Sequence, residues 1–189
     1  RLPFDASAGL RPGQPGKACH LSLKDIHFCI KIQKEKLTMI KVIYCKPNEK
    51  AEIIETSTDY GCLCNLLGCE ELETMELLIG RVIILCNGEG KLCRATPSRA
   101  IFQEDKLTDF KTKRNHQFID FIAGSFIICG LNEDGELVSL PEEQLSQYLK
   151  LYLYPEKISA LDTGLLIFRL KEDTFDLITV PWADTPLYG

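Results

Sequence analysis

Histidine is scarce in this sequence, and its scarcity restricts the catalytic chemistry that we expect. Only three histidines occur. Two of them, His20 and His27, follow residues 1–17, which are rich in proline and glycine. The third, His116, lies in the polar run 113–116 with no serine or cysteine motif beside it. Because nucleophilic catalysis needs a nucleophile, a base and a group that orients the base, the sequence predicts no catalytic residues.

Long apolar runs are also absent. No run approaches the roughly 18 apolar residues that a membrane-spanning helix needs, so we expect no membrane segment. The basic start at Arg1 is not followed by the apolar stretch of a signal peptide. The 189 residues suffice for one domain of ordinary size with a hydrophobic core.

The acidic net charge is unevenly distributed along the chain. The net charge is −5, but residues 1–38 hold seven basic and three acidic residues. The rest of the chain therefore holds 15 basic and 24 acidic residues. Since binding to the nucleic-acid backbone depends on lysine and arginine, this acidic body disfavours a nucleic-acid partner.

Nine cysteines are present, but their spacing does not predict a metal site. Cys62, Cys64 and Cys69 follow a C-x-C-x4-C pattern, and Cys86 and Cys93 are separated by six residues. Strong zinc signals are paired C-x2-C knuckles, so we expect free thiols and no metal or cofactor. An odd number of cysteines, several of them inside apolar runs, favours a reducing, cytoplasmic location.

Apolar periodicity predicts strands separated by turns, together with two helices. A strand is also possible within residues 21–37. Asp59 is placed to cap a helix that runs to Leu67, and Gly68 is placed to end it. Ser139 and Glu142 have the spacing of a capping box at the start of a helix over 140–153, with Leu145, Tyr148, Leu149 and Tyr152 on one stripe. The predicted strands are 40–44, 51–56, 74–78, 81–86, 119–129 with a break near Gly124, 165–170 and 175–180.

These elements predict an α+β fold with a mainly antiparallel sheet. Two helices are expected to cover one face of the sheet, and a C-terminal β-hairpin to extend it. Residues 1–38 form a basic, irregular extension, 39–157 the α+β domain, and 158–189 the C-terminal hairpin and tail. Met39 marks the start of the domain, because the composition changes there.

Four blocks of the sequence, in order, resemble one protein family. The first block is the opening hairpin, MIKV at 39–42 with IIE at 53–55, and the second is CNGEGK at 86–91 followed by PSR at 97–99. The third block is the strand DFIAGSFII at 120–128, and the fourth is the helix start, SL at 139–140 and EEQ at 142–144, with Tyr148. They resemble the domain of unknown function 3846 family, small proteins of gut bacteria, phages and conjugative elements, over roughly residues 39–157. Gly88 and Ser98 depart from the family pattern, which has an acidic residue and asparagine there.

The stretch 83–102 contains the candidate ligand site. It is not a Walker phosphate loop, because Gly90-Lys91 is followed by leucine and no glycine precedes it at the required spacing. A plain hairpin turn is one interpretation. In the other, cations near the Gly124 backbone hold an anion by charge-assisted hydrogen bonds, and an Asp120–Arg99 ion pair is also considered. The candidate residues are Asn87, Glu89, Gly90, Lys91, Arg94, Arg99, Asp120, Gly124 and Ser125.

The resemblance implies a context but no activity, so three functions stay open. The first is a small cytoplasmic accessory protein of a phage or mobile element that binds a host protein without catalysis. The second is a binder of a small anionic metabolite or nucleotide signal through Lys91, Arg94 and Arg99. The third is a hydrolase that uses His116 and Asp120. The sequence does not specify an oligomeric state.

Overall fold

A computed structural model of the chain describes residues 38–77, 81–103 and 118–185. The strand predicted within 21–37 and His116 lie outside the described residues. The strands are β1 (Met39–Cys45), β2 (Glu52–Ser57), β3 (Leu72–Leu77), β4 (Val82–Asn87), β5 (Pro97–Phe102), β6 (Phe118–Ala123), β7 (Phe126–Leu131), β8 (Leu137–Val138), β9 (Glu156–Leu161), β10 (Gly164–Leu170) and β11 (Phe175–Pro181). The helices are α1 (Tyr60–Leu67), α2 (Glu142–Tyr152) and a short 3-10 turn, Trp182–Asp184.

The described strands form three antiparallel sheets. The main sheet has the order β2-β1-β7-β4-β3, and β8 pairs with β7. A three-stranded C-terminal sheet has the order β9-β10-β11, and β5 pairs with β6 in a separate ribbon. The predicted α+β class, the antiparallel pairing and the C-terminal hairpin of β10 and β11 are confirmed. Three of the described strands, β5, β8 and β9, were not predicted.

The central strands of the main sheet are buried on both faces, which corrects the predicted placement of the helices. In β4, Val82 and Ile84 belong to one apolar cluster, whereas Ile83 and Leu85 belong to the other. The first cluster contains buried residues of α2, of the β5–β6 ribbon and of the C-terminal sheet, and the second contains those of α1. The prediction that both helices cover one face is therefore wrong. A strand in which consecutive residues are apolar needs cover on both sides.

The predicted boundaries of α1 are confirmed by its two caps. The Asp59 side chain accepts a hydrogen bond from the Cys62 amide at 3.0 Å. Gly68 ends the helix in the left-handed conformation at φ 65°, which costs glycine little because it has no Cβ. The Cys69 amide then donates to the Cys64 carbonyl at 3.0 Å.

Helix α2 starts differently from the prediction. The Ser139 hydroxyl accepts a hydrogen bond from the Lys41 amide at 2.9 Å, and no side-chain bond caps the helix. The predicted capping box is therefore wrong, because Ser139 instead ties the approach to α2 to strand β1. The buried residues of the helix are Leu145, Tyr148, Leu151 and Tyr152. Leu151 takes the place predicted for Leu149, which is only partly buried.

The long apolar run after residue 117 divides into two strands that enter different sheets. Gly124 has φ 88°, a backbone conformation that residues with a Cβ rarely adopt. Before it, β6 pairs with β5; after it, β7 pairs with β1 and β4. The glycine kink thus links the main sheet to the ribbon that lies over it.

Candidate functional site

The glycine loop, residues 88–96 between β4 and β5, packs against the Gly124 corner. A Cβ on Gly90 would lie 2.5 Å from the Ala123 carbonyl oxygen, so only glycine fits without a backbone shift. The Gly124 amide donates to the Thr96 carbonyl at 2.9 Å. The structure therefore brings Gly90 and Gly124 together, and Ser125 follows them as a half-buried residue.

Lys91 forms an ion pair with Asp120 on the neighbouring ribbon. Its ammonium group also lies 5.1 Å from the centre of the Phe121 ring, within the range of a cation–π contact. The second Asp120 oxygen accepts a hydrogen bond from the Phe121 amide at 2.7 Å. The Asp120–Arg99 pair that was considered from the sequence is not formed, because Asp120 pairs with Lys91 instead. This pairing leaves Lys91 with little uncompensated charge for an anionic ligand.

The other residues of the glycine loop make local contacts. The Asn87 side chain accepts a hydrogen bond from the Glu89 amide at 2.9 Å, which stabilises the turn. Arg94 is exposed and has φ 57°. Within the described part of the chain, Arg94 is the candidate cation that is both exposed and outside any ion pair.

Arg99, the third candidate cation, points away from the loop into the protein. It is fully buried and is the largest of the described side chains that are enclosed to this extent. Its guanidinium donates to the carbonyl oxygens of Tyr152 at 3.0 Å, Ser98 at 2.9 Å and Glu49 at 2.9 Å. Burial lowers the pKa of Arg99 but leaves the group charged, because arginine titrates far above neutral pH. The structure therefore contradicts the assignment of Arg99 to an exposed anion site.

Arg99 belongs to a buried arginine network, which we define as Arg99, Glu156 and Arg169. One Glu156 oxygen accepts a hydrogen bond from the Ala100 amide at 2.7 Å. The other oxygen accepts from the Arg169 guanidinium at 3.0 Å. Arg169 also donates to the Leu151 carbonyl at 2.6 Å, and burial lowers its pKa as well.

The arginine network joins three layers of the molecule. Arg99 connects β5 with the end of α2 and with the β1–β2 turn, while Glu156 and Arg169 connect β5 and α2 with the C-terminal sheet. A buried charge is costly unless other groups compensate it. Glu156 and Arg169 form an ion pair, and carbonyl groups accept the hydrogen bonds of Arg99. The network therefore fixes the C-terminal sheet on the rest of the domain, and its role is structural.

The outer face of the C-terminal sheet is apolar and open. Phe175 is 61% exposed, Leu161 42% and Leu177 36%. Phe168 is half-buried next to Phe175, with ring centres 5.8 Å apart. The apolar sheet face consists of Leu161, Leu166, Phe168, Leu170, Phe175 and Leu177, which alternate along the strands with inward-facing residues.

The residues of this face were not among the predicted site residues, although the sequence carries a signal for them. Strand β10 is almost continuously apolar, so residues on both of its faces need cover or a partner. Arg169 interrupts the apolar run on the inner face, where Glu156 neutralises it. The hairpin was predicted, but no partner was predicted for its second face.

The described cysteines do not form a metal site. No group of three or more metal-binding side chains occurs in the described ranges. All seven cysteines of those ranges are free thiols. Burial raises the pKa of Cys86 to about 12 and that of Cys129 to about 12, so neither is a reactive thiolate at neutral pH.

One family model matches the chain over residues 40–153, and its description is Domain of unknown function (DUF3846). This chain belongs to that family. The matched segment ends one residue after α2, so the glycine loop and Arg99 lie inside it, whereas Glu156, Arg169 and the apolar sheet face lie outside it. No curated protein and no solved structure matches the chain. None of the described helices has the length and apolar character needed to cross a membrane.

Proposed function

We propose that this DUF3846 protein acts by binding another protein through the apolar sheet face. The exposure of Phe175 on that face carries the proposal. Aromatic side chains provide large contact areas and are enriched at the centres of protein interfaces. The arginine network holds the sheet in place, so little conformational entropy is lost when a partner binds.

The chemistry of the face favours a protein over a nucleic acid. Lys157 pairs with Phe168 across the sheet and is the cation that the strand register places on this face. Nucleic-acid binding surfaces instead combine aromatic side chains with several lysines or arginines. The acidic net charge of −5 also disfavours binding to the nucleic-acid backbone.

The family resemblance supplies the biological context of the proposal. The resemblance implies an origin in phages, conjugative elements or gut bacteria, so the partner we propose is a cytoplasmic host protein. The chain would then be an accessory protein of a phage or mobile element, without catalytic activity of its own.

Calorimetry with a purified partner tests this proposal. Host proteins retained by the immobilised chain are purified, and their affinity is measured for the unchanged chain, for Phe175→Glu and for Leu92→Glu. Leu92 is 82% exposed in the glycine loop and provides the matched control. We expect Phe175→Glu to weaken binding about 30-fold, or ~2 kcal/mol, as at an interface hot spot. Equal affinities of the two variants for every retained protein would refute the proposal.

The anionic-ligand alternative has less support from the geometry. Lys91 is exposed but paired with Asp120, and Arg99 is enclosed, so Arg94 is the one of the three that the described residues leave both exposed and without an ion pair. A thermal-shift panel of nucleotides addresses it, because a ligand that binds the folded state raises the melting temperature. A shift that disappears in Arg94→Ala would favour this alternative.

A further inference from the structure

As far as the chain is described, the outer edge of β3 presents backbone groups that pair with no other strand. Among the described strands, β3 pairs on one side only, with β4. The Gly88 amide donates to the Glu71 carbonyl at 3.3 Å, which shows that Glu71 faces β4. Because successive residues of an antiparallel strand direct their backbone groups to alternate sides, Thr74 and Glu76 direct theirs outward.

One end of this edge is already closed. The Leu72 amide, which also points outward, donates to the Tyr60 hydroxyl at 3.3 Å. Thr74 and Glu76 have no such side-chain partner in the described ranges. Each of these two residues therefore offers one donor and one acceptor to an added strand.

Four glutamates determine which strand the edge can accept. Glu70, Glu71, Glu73 and Glu76 are exposed, and none of them forms an ion pair within the described parts of the chain. Pairing of two copies of β3 would bring glutamates of both copies close together, and like charges across a strand pair are destabilising. A strand that carries lysine or arginine gains from the same charges.

We propose that β3 is a docking site for an extended basic segment of a partner protein. The segment pairs with Thr74 and Glu76 as an added antiparallel strand, in the manner of β-augmentation. Its lysine or arginine side chains lie beside Glu73 and Glu76, on the two faces of the sheet. The site lies inside the family segment and apart from the apolar sheet face, so it does not depend on the proposed function.

A purely protective role of the glutamates is the competing explanation. Charged side chains on an edge strand prevent it from pairing with other chains. This role explains why the β3 edges of two copies repel each other. It does not predict that a basic peptide binds β3 through backbone hydrogen bonds.

Peptide binding to the full chain separates the two explanations. The probes are an eight-residue peptide in which the pattern lysine-lysine-valine-valine occurs twice, so that an added strand carries lysines on both faces, and the same peptide with N-methyl groups on the amides that would face β3. Fluorescence anisotropy gives both dissociation constants. We expect N-methylation to weaken binding at least about tenfold, because it removes backbone donors and keeps every charge. Equal binding of the two peptides, or no binding at about 1 mM, would overturn the proposal.

A pair of charge-reversed variants tests the location of the site. Glu73→Lys with Glu76→Lys should weaken binding of the unmethylated peptide at least about tenfold. Glu142→Lys with Glu143→Lys makes the same charge change at the start of α2 and should leave the affinity within about twofold. Equal losses in both double variants would mean that the peptide senses only net charge, and the site would be rejected.

Discussion

Replacing Arg99 with alanine tests whether the arginine network holds the fold together. The substitution removes the donors that the carbonyl groups of Tyr152, Ser98 and Glu49 use at 2.9–3.0 Å. These carbonyl groups belong to the end of α2, to β5 and to the β1–β2 turn. All three segments therefore lose their shared contact at once.

The expected cost follows from the number of buried acceptors that lose their partner. Each buried polar group left without a hydrogen bond costs about 1–3 kcal/mol, and the cavity left by the side chain adds to this. Removing a buried charge returns part of the cost. We therefore expect Arg99→Ala to lower the free energy of unfolding by about 4 kcal/mol, a large part of the ~5–15 kcal/mol typical of a domain.

Urea unfolding measures this loss directly. Trp182 is the single tryptophan and lies next to the C-terminal sheet, so its fluorescence reports unfolding of that region. With a denaturant slope of about 2 kcal/mol/M, the midpoint should fall by roughly 2 M urea. Arg94→Ala, on the exposed glycine loop, should change stability by less than about 0.5 kcal/mol. A loss below about 1 kcal/mol in Arg99→Ala would refute the structural role of the network.

Three further predictions concern backbone contacts, thiols and pH. Gly90→Ala should destabilise the protein by about 1–3 kcal/mol in the same urea assay, because the added Cβ would meet the Ala123 carbonyl oxygen. Gly88→Ala should be tolerated, and equal losses of stability in the two variants would contradict the Gly90 contact. Alkylation of the folded protein at pH 8 should label the exposed thiols and spare Cys129 until urea unfolds the chain. Burial raises the pKa of Cys129 to about 12, so its thiol is unreactive in the folded state. Labelling of Cys129 before unfolding would contradict its burial. The hydrogen bond from the Lys50 ammonium lowers the pKa of Glu172 in the folded state. The pair therefore stabilises the folded state at pH values above the ordinary glutamate pKa, and this stabilisation is lost as pH falls through the lowered pKa of Glu172. An NMR titration should show the Glu172 pKa rising in Lys50→Ala, and an unchanged pKa would exclude the pair.

Local sequence signals predicted the elements whose structure depends on neighbouring residues. Asp59 and Gly68 specify the ends of α1 through their own hydrogen bonds and backbone angles. The alternation after Met39 specifies β1, and the glycine at 124 specifies a break. In each of these cases, the residues that determine the conformation lie within a few positions of it.

Elements that depend on long-range contacts were missed. Strand β5 contains Ser98 and Arg99 and begins with proline, so its composition does not resemble a buried strand. It is buried because carbonyl groups from about 50 residues away surround the guanidinium. Arg99 was assigned to a ligand site for the same reason, since sequence position cannot show to which side an arginine points. The helices were placed on one face although the apolar run of β4 already indicated a sheet covered on both.

Site-specific photocrosslinking at position 175 tests the central functional claim most directly. A photoreactive phenylalanine analogue replaces Phe175 in one variant and Leu92 in the other, and both are irradiated inside host cells. We predict that the variant substituted at position 175 forms one discrete adduct with a host protein that is absent from the variant substituted at position 92. The same set of adducts at both positions, or none at position 175, would contradict the claim that the apolar sheet face is the binding surface.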